Sequence, residues 1–237
     1  VSQMQIREIK MVLLVFAAGL IVKMLVVLPN GFGLLKDVGE TKYLYMLQYF
    51  NEGIFLHSAT EFTTHYPPLY PLIIAAAYSV RDHAYEVIKL INAILASSLV
   101  FPLYFLARRL FTPKISLIII AIASLIPFQF EMPIRLLSEN LYFPLLLFTL
   151  YLTFTQPEDS RYRFVWDSLT GFSMGLLYLT RYISLAIIPF FMLVWWLKPF
   201  DGQNTILRFS RRKLLHAVLV LFIAGITFLP WVNVGLE

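Results

Sequence analysis

The topology of this chain depends on residues Tyr66–Val80, which read Y-P-P-L-Y-P-L-I-I-A-A-A-Y-S-V. The stretch is apolar but short, and its prolines cluster at the start. A membrane-spanning helix needs about 20 residues, with a range of roughly 17–25. If this segment crosses the bilayer, every later loop changes side. The side of the membrane on which each later loop lies therefore depends on whether this segment crosses.

The surrounding sequence has the composition of a membrane protein. Of 237 residues, 59% are hydrophobic and 14% are charged, and the mean hydropathy is +0.74. Soluble domains carry about a quarter charged residues. The net charge of +5 does not indicate nucleic acid, because the basic residues form short clusters between apolar runs, as cytoplasmic membrane loops do. The absence of cysteine excludes disulfides and thiolate chemistry.

The distribution of lysine and arginine decides the question for Tyr66–Val80. If the segment does not span, the loops carry twelve basic residues on the cytoplasmic side and six outside; if it spans, the numbers are reversed. The positive-inside rule favours the first arrangement. We therefore predict an interfacial or re-entrant segment on the outer side, with a cytoplasmic N-terminus. Of the acidic residues, five then lie inside and nine outside, which indicates that the outer surface carries the functional site.

The predicted fold is an all-α integral membrane protein, a single module over residues 1–237. An outer loop, about 29–86, follows the first span and contains an amphipathic interfacial helix over Glu40–Glu52. Lys23 is close enough to the end of its span to snorkel to the interface. Prolines 102, 127, 144 and 189 predict kinks. About seven transmembrane helices are predicted: Met11–Leu28, Val87–Ala107, Ile115–Phe130, Leu137–Thr155, Phe164–Thr180, Tyr182–Leu197 and Leu214–Val232.

The outer loop holds the candidate catalytic residues. Asp37 and Glu40 are three residues apart at a helix start, so both carboxylates lie within one turn. Such a pair supplies a general base and a partner that orients the substrate or a metal ion. Alternatively, Glu40 only caps the interfacial helix. His65 and Tyr66 precede two prolines, which fix the backbone and present both side chains rigidly.

Three further charged residues are predicted at the outer surface, each with two interpretations. Glu139 begins the fourth span and is either a site residue or a solvated interfacial acid. Arg181 lies between two apolar runs and is either a turn anchor or an anion site. Arg135 has Glu131 four residues before it, which favours a local ion pair. His57 and His65 lack the spacing of a zinc site, so no metal ligand is assigned.

Several motifs, taken in order, resemble the GT-C superfamily of polyprenyl-phosphate-dependent glycosyltransferases, in particular the protein O-mannosyltransferase and aminoarabinose transferase group. They are D-x-G-E after the first span, H-Y-P-P-L-Y-P-L, L-I-N-A-I-L-A, R-L-L-S-E-N-L, G-L-L-Y-L-T-R and L-P-W-V-N. The resemblance implies transfer of a sugar from a polyprenyl-phosphate donor to an acceptor hydroxyl of a protein or lipid, with the catalytic loop outside.

The resemblance also assigns roles to residues. It implies that Asp37 is the general base, that Glu139 and the Pro-Pro element with His65 line the same cavity, and that Arg181 takes the donor phosphate. Either Arg181, Arg135 or a divalent metal ion would offset the charge on the departing phosphate. Val38 and Gly39 separate two acids that many members have adjacent, which leaves the role of Glu40 open. The variable C-terminal region that members usually carry is expected to be absent.

Two other classes of protein remain open from the residues. A transporter or channel subunit could line a pathway with Lys23, Glu139 and Arg181, although these charges crowd at one face and no inverted repeat is visible. A non-catalytic scaffold could keep the same fold without turnover. Loss of sugar transfer in Asp37→Asn would distinguish the glycosyltransferase from both.

Overall fold

A computed structural model describes residues 3–27, 29, 67–78, 84–155, 162–197 and 211–234. Within these ranges all regular structure is helical, which confirms the all-α prediction. The ten helices described are α1 Gln3–Val27, α2 Leu69–Tyr78, α3 Ala84–Ser98, α4 Val100–Leu110, α5 Pro113–Leu125, α6 Phe128–Ile134, α7 Glu139–Thr155, α8 Arg163–Thr180, α9 Ser184–Leu197 and α10 Arg211–Val234. They form two compact units, one holding α1 and Tyr70–Leu147 and the other Phe148 onwards.

In the first unit, α1 and α4 are antiparallel. Near the start of α1, Glu8 Oε2 is 3.3 Å from Arg108 Nε, close to the end of α4. Two turns later, the Phe16 ring lies 5.0 Å from the ring of Phe101, at the start of α4. If both helices span, the antiparallel pair requires an even number of crossings in residues 28–83, as the prediction for Tyr66–Val80 has it.

The helix in that segment is also too short to span. α2 has 10 residues, which gives a length of about 15 Å, half of the hydrocarbon thickness of a typical bilayer. Its length and the antiparallel pair agree with the interfacial or re-entrant segment predicted from the charge count. The side of the membrane on which it lies stays a prediction.

The directions of α1 and α5 are the same. Val12 of α1 and Ile120 of α5 share a buried cluster. Further along both, the position of a Cβ on Gly19 is 3.5 Å from Ser124 Cβ. The sequence predicts the same alternation: a first span, a second span that returns, and a third span in the direction of the first.

Two predicted spans are less regular than expected. Ile115–Phe130 is not one straight helix, since α5 and α6 meet at a bend of 50°. Pro127 stands at the break, which confirms the predicted kink there. Within Val87–Ala107 the backbone stays helical at Leu99, between α3 and α4, and Glu86–Leu110 is one stretch long enough to span. Pro102 removes one helical hydrogen bond here, because it has no N–H to donate to the carbonyl group four residues earlier.

The second unit is built on two parallel helices, α8 and α10. Val220 packs against Gly171, and the ring of Phe228 lies 4.6 Å from that of Tyr178, two turns further along α8. Contacts that advance together along both helices define a parallel pair. Alternating spans predict the same relation for the fifth and seventh, with α9 as the returning segment.

A buried hydrogen-bonded contact joins the N-terminal parts of these two helices. Asp167 is fully buried on α8, and its Oδ2 lies 2.5 Å from Nδ1 of His216 on α10. Arg163 Nε is 3.9 Å from the same carboxylate oxygen. At the other end, Trp231 Nε1 donates to the Tyr182 hydroxyl at 3.0 Å. Polar contacts therefore link the two helices near both of their ends.

The surface of the helices is that of a membrane protein. Leu25 on α1 is 70% exposed and Phe222 on α10 is 62% exposed, and large apolar side chains surround both. Such continuous apolar faces are typical of contact with lipid. Three stretches of the described chain are long and apolar enough to cross a bilayer, Ile6–Val27, Glu86–Leu110 and Leu214–Trp231, and the bent pair α5–α6 would be a fourth. The predicted count of seven is not confirmed.

Candidate functional site

The predicted residues of the outer loop lie outside the part of the chain that the structure describes. These are Asp37, Glu40, His65 and Tyr66. Their roles stay predictions, as does their convergence on one cavity with Glu139 and Arg181.

The predicted ion pair of Arg135 is confirmed. Arg135 follows α6, and its Nη2 lies 2.6 Å from Oε1 of Glu131, one turn earlier. Both side chains are about half exposed, so this pair contributes little to stability. The pair does hold a guanidinium group beside the α6–α7 connection.

Glu139 occupies the first turn of α7, immediately after that connection. Ser138 precedes it as the N-cap, and the Ser138 carbonyl oxygen accepts the backbone N–H of Tyr142 at 2.9 Å. The positive end of the helix dipole favours a carboxylate at this position. Glu139 is half-buried. Both interpretations of Glu139, a site residue or a solvated interfacial acid, stay open.

Arg181 lies in the turn between α8 and α9. Its backbone N–H donates to the carbonyl oxygen of Leu177 at 2.9 Å, and its own carbonyl accepts from Ser184 at 3.0 Å. The end of α8 is the negative end of its dipole, which favours a cation. The structure thus confirms the position between two helices. Whether the guanidinium group binds an anion is left to the proposal below.

A buried hydrogen-bonded network surrounds the α6–α7 connection. The hydroxyl of Tyr70, on α2, donates to Asn92 Oδ1 on α3 at 2.9 Å. Asn92 Nδ2 in turn donates to the carbonyl oxygen of Arg135 at 3.1 Å. Tyr70 and Asn92 are both fully buried. One asparagine thereby links the helix that follows the Pro-Pro element to the backbone that carries Arg135.

Asn140 fixes the same connection from the other side. Its Nδ2 lies 3.0 Å from the carbonyl oxygens of Met132 and Leu137, and 3.5 Å from that of Arg135. These carbonyls belong to the end of α6 and to the connection, where helical hydrogen bonds are missing. Asn140 Oδ1 is buried without a hydrogen-bond partner in the described structure. A buried acceptor without a hydrogen-bond partner lowers the free energy of unfolding.

Sequence reasoning did not single out Tyr70, Asn92 or Asn140. All three lie inside motifs that carried the family resemblance, H-Y-P-P-L-Y-P-L, L-I-N-A-I-L-A and R-L-L-S-E-N-L. The signal was available, because an asparagine in an apolar helix must find a partner. The structure shows that the three motifs are parts of one network that holds the backbone of the α6–α7 connection, including Arg135.

We expect Asn92→Ala to destabilise the protein by about 1–3 kcal/mol, because the Tyr70 hydroxyl and the Arg135 carbonyl then lose a buried partner. Thermal unfolding in a fixed detergent measures this. Ser98→Ala on the same helix is the matched control, since its hydroxyl bonds only the Leu95 carbonyl at 2.6 Å. Equal unfolding temperatures for the two variants would show that the network adds nothing.

Within the described ranges, no three histidine or acidic side chains gather as the ligands of a metal ion would. Asp37 and Glu40, of which one would orient the substrate or a metal ion, lie outside these ranges. The need for a metal therefore stays a prediction.

The apolar helices define the class, an integral membrane protein, and the family comparison identifies it as a glycosyltransferase of the GT-C type. The chain belongs to the dolichyl-phosphate-mannose-protein mannosyltransferase family, whose model matches residues 65–231. The match covers more than two thirds of the chain and includes Tyr70, Asn92, Asn140 and Arg181. No curated protein and no solved structure matches the chain.

Proposed function

We propose that this protein transfers mannose from a polyprenyl-phosphate donor to an acceptor hydroxyl on the outer side of the membrane. The observation that carries the proposal is the family match over residues 65–231. The family's name supports mannose as the sugar, dolichyl phosphate as the carrier and a protein as the acceptor. A lipid acceptor is the alternative that the aminoarabinose transferase resemblance leaves open.

The reaction exchanges one bond at the anomeric carbon for another. The acceptor oxygen forms a bond to C1 while the bond from C1 to the phosphate oxygen breaks, with inversion. Asp37 takes the acceptor proton as general base, and polyprenyl phosphate leaves with the bonding electrons. Because the phosphate is already a good leaving group, no nucleotide site is required.

Cations must offset the charge that grows on the departing phosphate. We assign this role to Arg181, with Arg135 or a divalent metal ion as the alternatives. The position of Arg181 in a turn between two helices supports the assignment. Glu139, His65 and Tyr66 are assigned to substrate binding. Glu40 either assists Asp37 or caps its helix.

The proposed topology has seven spans, a cytoplasmic N-terminus and the catalytic loop outside. The antiparallel pair α1–α4 supports it, since a single extra crossing in residues 28–83 would make these helices parallel. The parallel pair α8–α10 supports the order of the last three spans.

A donor comparison with the purified chain tests the proposal. Reconstituted protein is incubated with radiolabelled dolichyl-phosphate mannose or GDP-mannose and with a membrane extract that supplies acceptors. We expect label in protein, or in lipid for the alternative acceptor, only with the lipid-linked donor. A transporter would move labelled donor across sealed vesicles without transferring it. No transfer and no donor binding would contradict the enzyme and leave the scaffold.

A further inference from the structure

Lys23 is a cation inside the membrane-spanning stretch of α1. The structure corrects the expectation that it snorkels to the interface. Its side chain is only 1% exposed, and Nζ lies 3.9 Å from the position of a Cβ on Gly19, one turn nearer the N-terminus. The ammonium group therefore folds back along α1, away from the end of the helix.

This buried ammonium group has no carboxylate partner among the described residues. The ring of Phe130 compensates part of its charge, with a centroid 5.8 Å from Nζ. The acid next to that ring, Glu131, is bound to Arg135 at 2.6 Å. The nearby Ser124 hydroxyl donates its proton to the Ile120 carbonyl at 2.8 Å. A cation–π contact replaces only part of the hydration that an ammonium group loses on burial.

We propose that Lys23 binds the phosphate group of a membrane lipid, and that this lipid is the polyprenyl-phosphate donor. The choice of lipid rests on the proposed function; the phosphate site does not. Charged groups inside spans are costly and mark functional sites when no internal partner exists. No acid among the described residues pairs with this group, and a lipid phosphate supplies the counterion.

The position of Lys23 suits a lipid phosphate. It lies four residues before Val27, the last residue of α1, which is about 6 Å along the helix axis. A lysine has a flexible four-carbon stem and a compact charge. It can therefore turn from Gly19 toward the end of α1, where lipid headgroups lie. By the proposed topology this is the outer end, the side of the reaction.

Lys23 would act beside the arginines assigned to the donor and would not replace them. Arg135 is already held by Glu131, so its charge is partly neutralised. Without bound lipid, Lys23 keeps the folded-back conformation and its ammonium group contacts the Phe130 ring. Binding of a phosphate would exchange this weak contact for charge-assisted hydrogen bonds.

The test compares lipids that differ only in the phosphate. Full-length protein in maltoside detergent, which contains no phosphate, is titrated with polyprenyl phosphate and with polyprenol of the same length. We expect the wild type to prefer the phosphate by roughly ten- to a hundredfold, and Lys23→Met to lose most of this preference. Lys23→Arg should keep part of it. Lys10→Met, which removes an exposed lysine from the same helix, should keep all of it.

Thermal unfolding separates binding from folding. Without lipid, Lys23→Met should unfold at the wild-type temperature or above, because it removes an unpaired buried charge. Polyprenyl phosphate should raise the unfolding temperature of the wild type and leave that of Lys23→Met unchanged. An equal rise in both, or no preference of the wild type for any lipid phosphate, would overturn the proposal.

Phosphatidylglycerol distinguishes the two sources of phosphate. If the wild type binds it as tightly as polyprenyl phosphate, and Lys23→Met weakens both, the phosphate site stands and the donor assignment falls. If instead the wild type transfers mannose and Lys23→Met binds the donor normally, the proposed function stands and the site at Lys23 falls.

Discussion

Asp37→Asn is expected to lower the rate of mannosyl transfer by about 10²–10⁴-fold, the range that a positioned general base supplies. An amide keeps the shape of the carboxylate but cannot accept the proton of the acceptor hydroxyl. Binding of the lipid-linked donor should change little, because the base acts on the acceptor. Initial transfer rates and donor affinity, measured on the same purified protein, give both quantities.

Two carboxylates on the same predicted surface serve as controls. Asp82→Asn removes an outer acid with no assigned role and should leave the transfer rate unchanged. Glu40→Gln separates the two interpretations of that residue: a rate loss of tenfold or more supports a partner of Asp37, and an unchanged rate supports a helix cap. An active Asp37→Asn protein would assign the base to another residue. Loss of donor binding in that variant would indicate a structural role for Asp37.

The relative direction of the first helices and the contacts between residues close together in the chain could be predicted from the sequence. The charge count treated Tyr66–Val80 as a segment that does not cross, and the antiparallel α1–α4 pair agrees with it. The ion pair of Arg135 with Glu131 followed from their spacing on one turn. The kink at Pro127 followed from a missing donor and a ring collision. Each of these predictions depends on residues close together in the sequence or on a rule about whole loops.

The hydrogen-bond partners of the buried polar residues could not be predicted in the same way. Asn92 lies 43 residues from the carbonyl group of Arg135 that it binds, and 22 residues from Tyr70. A local pattern shows that a buried asparagine needs a partner but does not identify it. The burial of Lys23 was missed for a related reason. Snorkelling assumes that a helix faces lipid at that position, whereas α1 there faces α5 and α6.

The parallel pair α8–α10 depends on two glycines one turn apart, Gly171 and Gly175. A Cβ on Gly171 would collide with the carbonyl oxygen of Val220 and come within 3.0 Å of Ile223 Cβ. The spacing G-x-x-x-G was visible in the sequence and is typical of close helix pairs in membranes. Small residues matter there because lipid provides no hydrophobic force between helices. The backbones must instead approach closely for van der Waals contact.

Gly171→Ala is therefore expected to destabilise the second unit by about 1–3 kcal/mol, through overpacking that the Val220 backbone cannot relieve by changing a rotamer. Gly225→Ala, on α10, is the matched control, since a Cβ there meets nothing within 4 Å. Alanine is favoured over glycine in a helix by up to about 1 kcal/mol, so the control should be neutral or slightly stabilising. Thermal unfolding of both variants in one detergent measures the difference. Equal unfolding temperatures would show that α8 and α10 are not held by close approach at Gly171, and that the pair depends instead on the polar contacts at its ends.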